Sequence, residues 1–355
     1  MKKLIALGIV VFLALLSFAA CGKKAGAPAT GAAGAEDMLK LLPKDAQGVV
    51  MVDVHRGITT AFADKAIKED KNYQKYQDFI KETGLDPQKD IYFLAVAMAG
   101  QTEGTKQEAA AVISLKYNKD LLLAKMKKEG SDVKEEVYNG VTLYSGIKAE
   151  SDKPAGGAFL DGSTAVVGTD AMVKKVIDVY QKKAENILKN EALAAVIKTA
   201  NKNSLVWSAF VIPPDATKKL SQQNPMMSSL EGIKAIIVFF DYRDKSFLME
   251  IKASGGEEAK NKQLADMLTG FKALGAGAAS KNPDVGELLN RIEVSSGPDF
   301  VKINAGLPED ILQRLTKSAA QKVEGMIKPK EEPKEEPAEE KKNEETEEKT
   351  EEVKD

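Results

Sequence analysis

The chain carries one cysteine, Cys21, and one histidine, His55, in 355 residues. With a single cysteine no intrachain disulfide can form, so packing alone must hold the fold. One histidine and one cysteine cannot build the usual zinc sites, and no His-Glu-x-x-His occurs. No Gly-x-Ser-x-Gly elbow and no Gly-Lys-Ser/Thr phosphate loop is present either. Aromatics make up 6% of the residues and Trp207 is the one tryptophan, which leaves little for stacking on sugars or bases. The formal net charge is −2. Residues 328–355 hold 13 Asp or Glu against 7 Lys, a net −6 that leaves +4 on the rest, matched by Lys2, Lys3, Lys23 and Lys24. The remaining body is near neutral, with no basic stripe for nucleic acid. No metal, no cofactor and no catalytic residue is expected.

What the chain does have begins at its N-terminus. Lys2 and Lys3 precede an apolar run from Leu4 to Leu16, followed by Ser17-Phe18-Ala19-Ala20 and then Cys21. Charge, apolar core and small residues in that order form a secretory signal peptide. The run falls short of the roughly 20 apolar residues of a membrane span. Two readings of Cys21 stay open on the residues alone: cleavage before it, or cleavage near Gly22 that discards it. An uncleaved N-terminal helix is a third.

The alanines directly before Cys21 make this segment resemble a bacterial lipoprotein, in which a lipobox is cut ahead of a diacylated cysteine. Phe18 stands where that pattern prefers Leu. The resemblance implies residues 1–20 as signal peptide and Cys21 as the lipidation site. It also implies a membrane partner reached through N-terminal acyl chains such as palmitate. Two or more chains, at about 0.8 kcal/mol per buried methylene, make a stable anchor. Residues 21–35 then form a small, polar linker. Gly22 in place of an Asp implies, by enteric-type sorting, the outer membrane facing the periplasm. The body resembles exported bacterial families of unknown function through Leu42-Pro43-Lys44-Asp45-Ala46 before a hydrophobic strand and Leu307-Pro308-Glu309-Asp310 near its end.

Alternation and helical periodicity predict an α+β body in two tandem repeats, residues 36–200 and 201–327. Each reads strand, helix, hairpin, helix, hairpin, helix, with mostly antiparallel sheets and helices packed on one face. Strands are predicted at 49–54, 91–99, 109–116, 141–145, 158–160 and 164–168. In the second half they fall at 205–212, 235–242, 246–253, 292–295 and 300–305. Gly84 is predicted to end a helix and Asn118 to cap the next. Residues 328–355, with two Lys-Glu-Glu-Pro copies and almost nothing apolar, are predicted to be a disordered acidic tail.

Several constellations invite chemistry. Asp53 and His55 share a face if the first strand continues through them, as a metal pair or the start of a relay. Residues 275–280, Gly-Ala-Gly-Ala-Ala-Ser, half resemble a phosphate-binding loop but follow a helix, and read as a flexible connector. Glu135-Glu136 and Glu257-Glu258 would suit glycoside hydrolysis, although neighbours in a chain point apart and solvated faces suffice. Met226-Met227 would suit an adaptable apolar groove, or a loop folding onto the core. The sequence therefore points to a lipid-anchored envelope protein with a non-enzymatic binding or scaffolding role. Its partner would be an envelope protein or an apolar ligand. A periplasmic carrier of a lipid and a carboxylate-based hydrolase are the alternatives.

Overall fold

The structure is a computed structural model that describes residues 34–100, 107–129, 132–147, 155–279 and 283–315. The signal segment, Cys21, most of the linker, Ser280 and the acidic tail lie outside the described residues. In chain order, helix α1 (Ala35–Leu39) leads into β1 (Gly48–Asp53) and then α2 (Val54–Ile58), α3 (Ala61–Glu69), α4 (Tyr73–Thr83) and α5 (Pro87–Asp90). The hairpin β2 (Ile91–Ala99) and β3 (Glu108–Leu115) is followed by α6 (Lys119–Lys128). Next come β4 (Lys134–Tyr138), β5 (Val141–Ile147), β6 (Ala155–Phe159) and β7 (Thr164–Gly168), then α7 (Asp170–Tyr180) and α8 (Glu191–Thr199). The second half holds β8 (Val206–Val211), α9 (Pro214–Gln223), β9 (Ala235–Arg243) and β10 (Ser246–Ser254). It closes with α10 (Glu258–Ala278), α11 (Pro283–Asn290), β11 (Ile292–Gly297) and β12 (Phe300–Pro308), and residues 309–315 are helical.

The α+β class is as expected, and the strands form one sheet. Twelve strands run in the order β11-β12-β10-β9-β8-β1-β2-β3-β7-β6-β5-β4, and every pairing among the described residues is antiparallel. The halves meet where β1 pairs with β8, Met51 opposite Trp207. Outward from that seam, β1-β2-β3-β7-β6 and β8-β9-β10-β12-β11 place successive strands in matching order. The core runs across the expected boundary at residue 200: Trp207 and Ala209 pack in one cluster with Met38, Val49, Val176 and Ile197.

Helices cover both faces of the sheet, which corrects the expectation of one. Register explains why. A row directly opposed across strands, Leu143–Ala158–Val166–Val112–Ala95–Met51–Trp207, shares one face and is buried throughout. It lies under α1, α7 and α8, whose Met38, Leu39, Val173, Val176, Leu193 and Ile197 complete the core. The same row continues as Phe239, Glu250 and Asn304, so this face turns polar in the second half. On the opposite face α10 packs its Leu264 and Ala265 on Val301 of β12. There too Leu85, just beyond α4, clusters with Phe79, Ile113, Ala165 and Phe159.

Local signals account for most element ends. Gly84 closes α4 in the left-handed conformation (φ 69°) and its N–H donates to Ile80. Asn118 caps α6 by accepting from the N–H groups of Asp120 and Leu121. Two elements differ from expectation. β4 occupies residues for which no element is predicted, because its Lys-Glu-Glu-Val-Tyr is an edge strand exposed on both faces and carries no alternation to read. Helix α10 continues through Gly275-Ala276-Gly277-Ala278, so the supposed flexible connector is its last turn. Leu289 of α11 packs close to Gly275, and that tertiary contact outweighs the weak helix propensity of glycine.

Candidate functional site

The Asp53–His55 pair does not form. β1 stops at Asp53 because that carboxylate caps α2, accepting the Arg56 N–H at 3.0 Å. His55 therefore sits on a helix and strand alternation does not reach it. Its ring lies against Tyr92, centroids 5.9 Å apart, and its Nδ1 is buried with no hydrogen-bond partner.

What the bend assembles instead is an ion cluster across the central seam. Arg56 Nη2 donates to Asp241 Oδ1 at 2.7 Å and its Nη1 to the Asn203 carbonyl at 2.8 Å. Arg243 Nε donates to Asp241 Oδ2 at 2.5 Å, and the backbone N–H groups of Leu205 and Tyr242 complete the shell. Asp241 is 2% exposed. Burial pushes the Asp53 carboxyl up, against the opposing pull of the Arg56 N–H and guanidinium, and nearby Asp241 adds to the rise. The cluster joins α2 of the first half to β8 and β9 of the second. The reading of the sequence missed Asp241, although a signal was there: it follows Ile237 and Phe239 at the alternate positions that point into the sheet's first face.

The remaining candidates are separated. Glu135 and Glu136 alternate on β4, with Glu136 paired to Lys174 at 3.2 Å and Glu135 to Lys127 at 3.9 Å. Glu257 and Glu258 sit at the start of α10. Met227 lies in the 3-10 turn Pro225–Leu230. Among the described residues no group of three or more His, Cys, Asp or Glu is placed to hold a metal, and no helix is long and apolar enough to cross a membrane. A concavity of about 530 Å³, wide open to solvent, is lined by polar residues including Lys44, Asp45 and Glu191.

The distinctive surface is the sheet's second face. One register row runs Ile303–Ile251–Val238–Ser208–Val50–Val96–Ala111–Val167. Of its eight members only Ser208 is polar, and only Ser208 is fully buried; Val167 reaches 40% exposure. The adjoining row adds Leu94, Val206, Phe240 and Met249, all half-buried. From β10 to β7 the row spans six strand spacings, about 29 Å. Helix α3 borders it where Phe62 meets Phe247 at 5.7 Å, and α10 with the Pro225–Leu230 turn borders it at Val301. Flanking helices thus rim the face and leave much of it partly open to water, while its centre closes at Val52 and Ser208, 3% and 5% exposed.

Three crystal structures, of crystal forms III, IV and I of TP0453, are similar to this chain at 11%, 10% and 10% identity. They cover 79%, 78% and 82% of this chain and 97%, 95% and 99% of their own, with TM-scores of 0.43, 0.41 and 0.43. No curated protein matches the chain. A family model described as "Protein of unknown function (DUF3352)" matches residues 4–269. The chain belongs to the DUF3352 family.

Proposed function

We propose that this protein is a lipid-anchored component of the cell envelope, held to the outer membrane through Cys21, and that it binds a partner without catalysis on the second face of its sheet. One observation carries the binding role: an apolar row about 29 Å long lies partly open on a sheet whose other face is tightly filled across the first half. Soluble proteins rarely leave contiguous apolar surface open unless something covers it. Buried Asp241 has both carboxylate oxygens hydrogen-bonded within the fold, so the ion cluster reads as a structural clasp rather than a reacting centre. The length of the row also suits an acyl chain, and this favours the carrier as the second reading.

A photoreactive amino acid at Val96, used in intact cells, tests both. Cross-linking to an envelope protein supports the scaffold, and cross-linking to lipid supports the carrier. The same probe at Val137, on the far edge strand and 75% exposed, controls for random contact. Equal products at both positions, or none at Val96, would remove the role of this face.

A further inference from the structure

Helix α10 changes character along its length. Over its first half the sheet side is apolar (Leu264, Ala265, Leu268) and the outer side is charged (Lys262, Asp266). From Gly270 onward the outer side loses its charge, and Phe271, seven residues after Leu264, carries the sheet-side apolar stripe into the open. Phe271 is 49% exposed and Leu274 73%, and Gly270, Ala273, Ala276 and Gly277 beside them are exposed as well. Lys272 is the one charge between Asp266 and the helix end, and its ammonium donates to the Ile292 carbonyl at 2.6 Å. This open stretch, residues 270–277, is about 12 Å long. Phe271 follows Leu268 by one helical turn and Leu264 by two, so the stretch continues the stripe that packs on the sheet, and Leu274 extends it around the helix.

We propose that this half of α10 lies in the membrane interface, with Phe271 and Leu274 among the headgroup and acyl boundary. The occupant is argued from the tether, so the proposal rests on the lipidation of Cys21. From Cys21 to Gly34 there are thirteen residues, which span at most about 45 Å. Gly34 leads into α1, which packs in the core beneath the central strands, and β11 lies five strand spacings from β1, about 24 Å. Crossing two helix layers adds about 20 Å at right angles, for a direct separation of roughly 30 Å. The anchor therefore reaches the stripe with length to spare, and it holds the bilayer at a high effective concentration. Aromatic and aliphatic side chains on one helix face match an interfacial helix.

The test uses the full acylated chain reconstituted in phosphatidylethanolamine–phosphatidylglycerol vesicles, with Phe271→Trp as the reporter. The native Trp207 is 2% exposed and serves as an internal control for the fold. Lipids brominated on the acyl chain should quench the new indole and leave Trp207 emission unchanged. Adding Leu274→Glu to the reporter should abolish that quenching while the protein still floats with the vesicles. Floating protein whose new indole is unquenched overturns the interfacial placement and leaves the anchor intact. A new indole that is blue-shifted but unquenched assigns the stripe to a second copy or another part of the chain, and also overturns it. Protein that does not float removes the anchor and this proposal together.

Discussion

Replacing Arg56 by methionine tests whether the clasp at the seam stabilises the fold. The substitution keeps the unbranched stem and removes two hydrogen bonds, to Asp241 Oδ1 at 2.7 Å and to the Asn203 carbonyl at 2.8 Å. Breaking a fully buried pair from one side costs about 3–5 kcal/mol. Here the Arg56 side chain is about one-third open to water, which weakens the pair, and Asp241 keeps Arg243 and two backbone donors. A charged hydrogen bond in such a setting contributes about 1.5–3 kcal/mol. The expected loss is therefore about 2 kcal/mol, read as a lower urea midpoint with an unchanged slope. Asp241→Leu should cost more, because it strands the Leu205 and Tyr242 N–H groups as well as both guanidinium groups. The double variant Arg56→Met/Asp241→Asn should lose less than the sum of its single changes, since each removes the same contact. A loss below about 0.5 kcal/mol for Arg56→Met would place the pair with exposed ion pairs that contribute little. The clasp would then have no role in joining the halves.

Other substitutions probe the pH response, the backbone and the anchor. Burial raises the Asp53 carboxyl above its model-compound value of 3.8, so the folded state holds that proton more tightly than the unfolded chain. Its contribution to stability is full below 3.8 and falls as pH rises through the folded value; Asp53→Asn should flatten that fall in a urea midpoint series. Glu82 has the opposite sign: hydrogen bonds from Lys125 and Lys128 bring it down from 4.5 to about 2. Its contribution is present above 4.5 and lost toward pH 2, and Glu82→Gln should remove that acid-side loss. Gly84→Ala forces a Cβ into the left-handed region at φ 69° and should cost about 1 kcal/mol in thermal or urea unfolding. Gly168→Ala puts a Cβ 2.3 Å from the Ala109 carbonyl and 2.6 Å from the Ala110 Cα. It should strain the β3–β7 ladder and cost about 1–3 kcal/mol. Cys21→Ser should move the mature protein from the membrane fraction to the soluble fraction; unchanged fractionation would refute the anchor.

Strand-forming runs of Val, Ile, Ala and Phe made the hairpins legible, and single residues such as Gly84 and Asn118 fixed helix ends. Sequence order alone could not show that one sheet forms. Val49-Val50-Met51-Val52 is apolar at successive positions, as a strand buried from both sides would be. It does not reveal that its second neighbour is β8, more than 150 residues away. β4 was illegible because periodicity marks a half-buried strand, and an edge exposed on both faces has none. The end of α10 was misread because glycine propensity is local while the contact of Leu289 with Gly275 is not. Asp53 was read as a face-sharing partner of His55, yet its carboxylate turns the chain at that point. The cap and the pair are competing uses of one side chain, and the cap wins at 3.0 Å.

The two faces of the sheet bear on the proposed binding role in different ways. In the first half the inner row carries alanine at Ala95, where α1 lies close, and at Ala158, where α7 does, and every member of the row is buried. Small residues let the helix approach, so that face is filled by the chain itself. The opposite face carries valine and isoleucine at Val50, Val96, Val238 and Ile251, which are larger, and yet no helix lies close enough to bury them fully. If only the stability of the isolated fold mattered, polar residues at these half-open positions would cost little and would lower the risk of aggregation. β10 shows that the same sheet accommodates charge at a strand centre, where Glu250 faces Lys302 at 3.7 Å on the other side. The apolar row is therefore not imposed by strand formation. It is the part of the molecule for which packing within the chain gives no sufficient reason, and a partner that removes it from water supplies one.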